Sequence, residues 1–148
     1  MSTLTSDIFM AGHTRNCIVN PLKGKQPIQD DTWVVLHNGE IYNGMNIKQN
    51  AYGENIYKGD VSDSFKILDL YKKKNPIEVP KLLDGVFAFC LLDYRLSSNT
   101  SKMFVARDPY GVRPLYMMKP TKRGIKVLKD KEKYVIASEM KMINDIYQ

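Results

Sequence analysis

The sequence has 148 residues, 43% of them hydrophobic and 26% charged, which is the composition of one globular domain and excludes wholesale disorder. No apolar run approaches the roughly 20 residues of a membrane-spanning helix, and Met1 to Asp7 has neither the basic nor the apolar region of a secretory signal. The net charge of +6 comes from 22 scattered basic residues, mostly lysines, without aromatic interleaving and without a helix-turn-helix or zinc-finger pattern, so it reads as a solvated surface rather than as a nucleic-acid or membrane partner. Two cysteines, Cys17 and Cys90, are too few for a disulfide framework and sit in apolar runs, as reduced thiols of a cytoplasmic protein would.

Strand signals dominate the chain. Ile8 to Ala11 and Asn16 to Val19 are the first two, and Pro21 to Asp31 reads as a loop. Trp33 to His37 is a β-branched run that stops at Asn38-Gly39, the strongest short turn signal in the sequence. Tyr52 to Asp60 is a loop. Ser62-Asp63-Ser64 then caps a helix whose apolar stripe is Phe65, Ile67, Leu68 and Tyr71. Pro80 to Gly85 is a short turn feeding Val86 to Leu92, a strand apolar enough to be buried on both faces. Ser97 to Ser101 is a loop before the strand Lys102 to Ala106. Leu115 to Met118, Gly124 to Val127 and Tyr134 to Ser138 are further strands. The long loop from Lys119 to Lys133 encloses the middle one, and Ser138 to Ile143 opens a last helix. There is no repeat and no linker, so residues 1–148 form one α+β domain with a mostly antiparallel sheet.

Four polar clusters fall at strand ends: His13-Thr14-Arg15, Asn38 to Asn43, Ser62-Asp63, and Arg107 to Tyr116. Each has an ordinary structural explanation when taken singly: a surface arginine, a turn, a helix cap, a tight turn with a local ion pair. Together they form a narrower kit. An arginine grips a carboxylate with two parallel hydrogen bonds. A buried aspartate holds an ammonium group. An asparagine side chain beside a glycine N–H offers two donors to an oxyanion. The kit suits an α-amino acid whose side-chain carbonyl is to be attacked.

In order along the chain, the matching stretches are His13-Thr14-Arg15, Gly24-Lys25-Gln26-Pro27, Asn38 to Asn43, Ser62-Asp63, Leu83 to Phe89, Arg107 to Tyr116, and Ala137 to Lys141. With these the sequence resembles the class II glutamine amidotransferase domain of glutamine-hydrolysing asparagine synthetases. The resemblance implies an N-terminal-nucleophile hydrolase fold, two stacked antiparallel sheets between helical layers. It implies that Arg15 holds the glutamine α-carboxylate and Asp63 its α-ammonium. Asn38 and the Gly39 N–H would form the oxyanion hole, with Glu40 lining the pocket. The backbone of Arg15, Asn16, Cys17, Ile18 and Val19 would form one wall. No cofactor and no metal is implied. The partners implied are glutamine and a synthetase domain or full-length homologue in trans.

Members of that family begin with Cys-Gly, whose thiol attacks the amide while its own α-amine acts as base. Here the match begins at His13, close behind Met1, and ends soon after Glu139. The sequence therefore predicts a partial domain, inactive as this chain, without the nucleophile, the first strand, the first helix or the synthetase domain with its pyrophosphate loop. Ser2 is a nucleophile in principle after loss of Met1, but the stretch from Ser2 to Arg15 is too short for both a strand and a helix. Cys17 and His13 read as structural, and His37 as packed or facing solvent. Loss of a sheet strand predicts unpaired backbone groups on its neighbours and a destabilised, partner-dependent domain. The alternative function is a non-catalytic module that still holds glutamine or asparagine and pairs with a synthetase.

Overall fold

The computed structural model describes residues 2–5, 10–13, 26–44, 62–94, 101–119 and 134–146. Its centre is a four-stranded antiparallel sheet in the order β3 (Ile28–Gln29), β4 (Trp33–Ile41), β5 (Gly85–Asp93) and β6 (Lys102–Arg107). Two further antiparallel ladders join β1 (Ser2–Thr5) to β2 (Met10–His13) and β7 (Tyr116–Met118) to β8 (Val135–Ala137). The α+β class and the antiparallel pairing agree with the sequence. The expected strands Asn16–Val19 and Gly124–Val127, the loop 52–60 and most of the loops 97–101 and 119–133 lie outside the described residues. No helix among the described residues is long and apolar enough to cross a membrane.

Helix α1 (Phe65–Lys73) forms where its apolar stripe predicts. Ile67, Leu68, Leu70 and Tyr71 are buried, and Lys72 and Lys73 occupy the last turn, where cations suit the helix dipole. Lys73 pairs with Asp69 one turn earlier at 2.8 Å, and Lys72 with Asp30. The helix stops at Lys74, which is extended, two residues before Pro76. The apolar face packs on Trp33, Val35, Ile41, Phe87, Phe89 and Leu91, alternate residues of β4 and β5. Tyr71 meets Phe89 edge-on at 6.1 Å and Phe104 at 5.1 Å. Full burial of one such side chain stabilises the fold by about 1.5–3 kcal/mol. Val34, Ala88 and Cys90, on the opposite face, are buried too, so β5 is covered on both sides as its sequence predicts. A second helix, α2 (Met140–Ile146), opens after Glu139, where the last helix is expected.

Three expectations need correction. First, Asn38-Gly39 is not a turn. Strand β4 runs through it to Ile41 and stays in register with β5, Gly39 facing Phe87. Gly39 has a φ of +131°, and a Cβ there would lie 2.0 Å from the Val86 carbonyl oxygen. The glycine serves close strand approach rather than chain reversal. Second, the strand expected at Ile8–Ala11 runs on to His13, and Ser2–Thr5, where no element is expected, pairs with it. The backbone of Met10–His13 therefore has a neighbour inside the chain. Third, the loop 21–31 contains β3, whose hairpin with β4 is closed by Asp30. Its carboxylate accepts the Thr32 and Trp33 N–H groups at 2.9 and 2.8 Å.

Candidate functional site

Strand β3 ends at Gln29, with Ile28 facing Val35, so beyond Val35 the outer edge of β4 has no strand partner among the described residues. Side chains take its place. The Gln26 amide donates to the His37 carbonyl at 2.7 Å and accepts the His37 N–H at 2.6 Å, as a strand residue would. Four residues on, Asp63 Oδ2 accepts the Ile41 N–H at 2.7 Å. Alternate residues of a strand turn their N–H groups to the same edge. Tyr42 accordingly donates to the Asp84 carbonyl on the β5 side, while His37 and Ile41 donate outward. By the same alternation the Gly39 N–H points outward, between the Gln26 and Asp63 attachments.

Asp63 stands just before α1. It was expected to belong to a helix cap, but no side-chain cap bond forms at Ser64. The Phe65 N–H takes the Ser62 carbonyl and the Lys66 N–H the Asp63 carbonyl, which frees the side chains for the strand. Asp63 Oδ1 accepts the Ser64 N–H at 3.0 Å and the Ser62 hydroxyl at 3.2 Å. Both oxygens thus have fixed directions; Oδ1 already takes two donors, and Oδ2, with one, retains acceptor capacity. Asn38 pairs with Ala88, on the face away from α1, and Glu40 pairs with Val86; both are half-buried. Arg15, Asn16, Cys17, Ile18 and Val19 lie outside the described residues. The structure therefore gathers Asn38, Gly39, Glu40 and Asp63 at one end of β4.

Two neighbours do more than the sequence assigns them. His37 is only 3% exposed, and its Nδ1 lies 2.7 Å from the hydroxyl of Ser64, itself 1% exposed. Burial pushes the imidazole down to about 4; Asp63 opposes this, while His13 and Arg113 reinforce it. Among the described residues its Nε2 is buried without a hydrogen-bond partner. Gln26 belongs to the Gly24-Lys25-Gln26-Pro27 stretch, but its partner is 11 residues away and nothing local announces it.

The other clusters are structural. Asn43 ties the 3-10 turn Tyr42–Gly44 to the next turn: its amide donates to the Leu82 carbonyl and accepts the Asp84 N–H, both at 3.0 Å. Lys66, 5% exposed, donates to the Asn43 carbonyl. Burial pushes its ammonium down to about 8, against the pull of Asp84. After β6, Asp108 accepts the N–H groups of Tyr110, Val112 and Arg113 at 3.1, 3.0 and 3.1 Å. Burial works against its charge, but the N–H groups of Val112, Arg113, Phe87 and Tyr110 outweigh it and hold the carboxyl below its ordinary value. Among the described residues no cluster of three His, Cys, Asp or Glu could hold a metal ion.

A family model for the glutamine amidotransferase domain matches residues 13–145. The chain belongs to this family. It is similar to the glutamine-hydrolysing asparagine synthetase of Pongo abelii, 44% identical over 108 residues, covering 71% of this chain and 18% of that protein. The Homo sapiens enzyme is 43% identical over the same length, again covering 71% and 18%. The Sandersonia aurantiaca enzyme is 36% identical over 141 residues, 94% of this chain and 24% of that one. The chain thus spans less than a quarter of the length of these relatives. A solved structure of the allosteric regulatory enzyme of purine biosynthesis superposes with a TM-score of 0.48 at 21% identity, over 74% of this chain and 26% of that chain.

Proposed function

We propose that this amidotransferase domain carries the glutamine-holding part of an asparagine synthetase-type glutaminase, whose ammonia serves asparagine synthesis. The Ile41 N–H to Asp63 bond carries the reading. It sets the carboxylate that would hold the α-ammonium two residues along the same strand edge from the Gly39 N–H. The Asn38 amide and that N–H would hold the side-chain carbonyl, and Glu40 would line the pocket. Arg15 would grip the α-carboxylate, with the backbone from Arg15 to Val19 as a wall. Attack on the amide carbonyl places negative charge on its oxygen, and fixed donors stabilise that charge without reorganising. Among the described residues none supplies the attacking group. Cys90 is buried on β5, and burial pushes its thiol up to about 12. The described residues bind and polarise glutamine, and a synthetase domain would use the ammonia.

Calorimetry with L-glutamine and L-asparagine tests this reading. Glutamine should bind, and Asp63→Asn should weaken it about 30-fold, or about 2 kcal/mol, since the ammonium would lose its charged partner. Absence of glutamine binding, or unchanged affinity in the variant, would overturn it.

A further inference from the structure

Resting on the glutamine reading of the site, we propose that Gln26 is a positioning residue for the oxyanion donors. Its side-chain amide sets the aim of the Gly39 N–H. The segment Asn38-Gly39-Glu40 is attached at both ends along the outer edge of β4. At one end Gln26 holds both backbone groups of His37, at 2.7 and 2.6 Å. At the other Asp63 holds the Ile41 N–H at 2.7 Å. The His37 carbonyl belongs to the peptide that supplies the Asn38 N–H, so Gln26 fixes the plane from which Asn38 and Gly39 continue.

Glycine has no side chain to restrict it, and φ at Gly39 is +131°. Its N–H is aimed by the peptide planes around it, held on the inner side by the pairing with β5 and on the outer side by Gln26. Gln26 is 8% exposed, so the two bonds are shielded from water. His37 has a second hold, from Nδ1 to the Ser64 hydroxyl at 2.7 Å. Ser64 follows Asp63, so Gln26, His37, Ser64 and Asp63 form a frame around the three residues. Gln26 acts through the backbone of His37.

The test compares L-glutamine with L-norvaline, which has the same α-amino acid head and no side-chain amide. Both are titrated by calorimetry into the full chain and into Gln26→Met, which keeps length and removes both bonds. The wild-type chain should prefer glutamine. In Gln26→Met glutamine affinity should fall about tenfold, the scale of one buried hydrogen bond. Norvaline affinity should stay unchanged, because its head is held elsewhere. Equal losses for both ligands, or an undiminished preference for glutamine, would overturn the positioning role and leave the glutamine reading standing. Failure of the wild-type chain to bind either ligand would overturn both. Core amide exchange at Ile67 and Leu91 reports whether the variant folds. If it does not, Gln26→Glu, which keeps an acceptor for the His37 N–H, takes its place with the same outcomes.

Discussion

Lowering the pH from 7.5 to 5 should destabilise the fold by about 2 kcal/mol through His37. In the folded chain burial holds the imidazole at about 4, against an ordinary value of 6.5. Above pH 6.5 both folded and unfolded chains carry it neutral, and its contribution is fully present. Below pH 6.5 the unfolded chain takes a proton that the folded chain refuses. Stability then falls by about 1.4 kcal/mol per pH unit, until the folded histidine also titrates near pH 4. The full loss is about 3 kcal/mol, and most of the first 2 kcal/mol is gone by pH 5, where carboxylates are still largely ionised. Urea titrations at pH 7.5 and 5 measure it. With an m-value of about 2 kcal/mol/M the midpoint should drop by about 1 M. His37→Asn, neutral at both pH values, is the control and should be less stable but nearly flat with pH. If the wild-type and His37→Asn midpoints fell by the same amount, His37 would not be the buried neutral group described.

Two substitutions test the sheet. Gly39→Ala places a Cβ 2.0 Å from the Val86 carbonyl oxygen at a φ of +131°; the obstacle is backbone, so β4 and β5 must separate. A loss of about 3 kcal/mol or more in urea unfolding is expected, and a loss under 1 kcal/mol would show that β4 does not pass Val86 so closely. Phe87→Ala removes a ring that is 1% exposed and stacks on Phe89 at 5.9 Å. About 3–5 kcal/mol should be lost, read as a fall in thermal midpoint, and a near-neutral result would mean that α1 does not cover this face.

The elements that were legible from sequence are those whose burial is periodic. Helix α1 follows from Ile67, Leu68 and Tyr71, and β5 from its unbroken apolar run, because each pattern reflects the surface the element packs against. Asn38-Gly39 misled because a positive φ serves two purposes. Asn-Gly usually marks a chain reversal, but the glycine can equally sit inside a strand where a neighbouring carbonyl leaves no room for a Cβ. Ser62-Asp63-Ser64 correctly announced a helix start and hid its second use. Its side chains reach Ile41 and His37, on a strand more than 20 residues earlier. His37 could not be judged because its burial depends on Ser64, and no local pattern encodes that meeting. Residue chemistry suggested Asn38, Gly39 and Asp63 as one kit; the family resemblance added Glu40 and gave each residue its role.

The outer edge of β4 also bears on how such a site can change. Where a neighbouring strand satisfies an edge, main chain bonds to main chain, and apart from proline no side-chain change releases one contact. Along His37 to Ile41 the outward contacts among the described residues belong to the side chains of Gln26 and Asp63. Each is under separate genetic control. Selection, or a protein engineer, can loosen one end of the segment while the other stays fixed, and so retune the grip on a ligand in single-residue steps without redrawing the sheet.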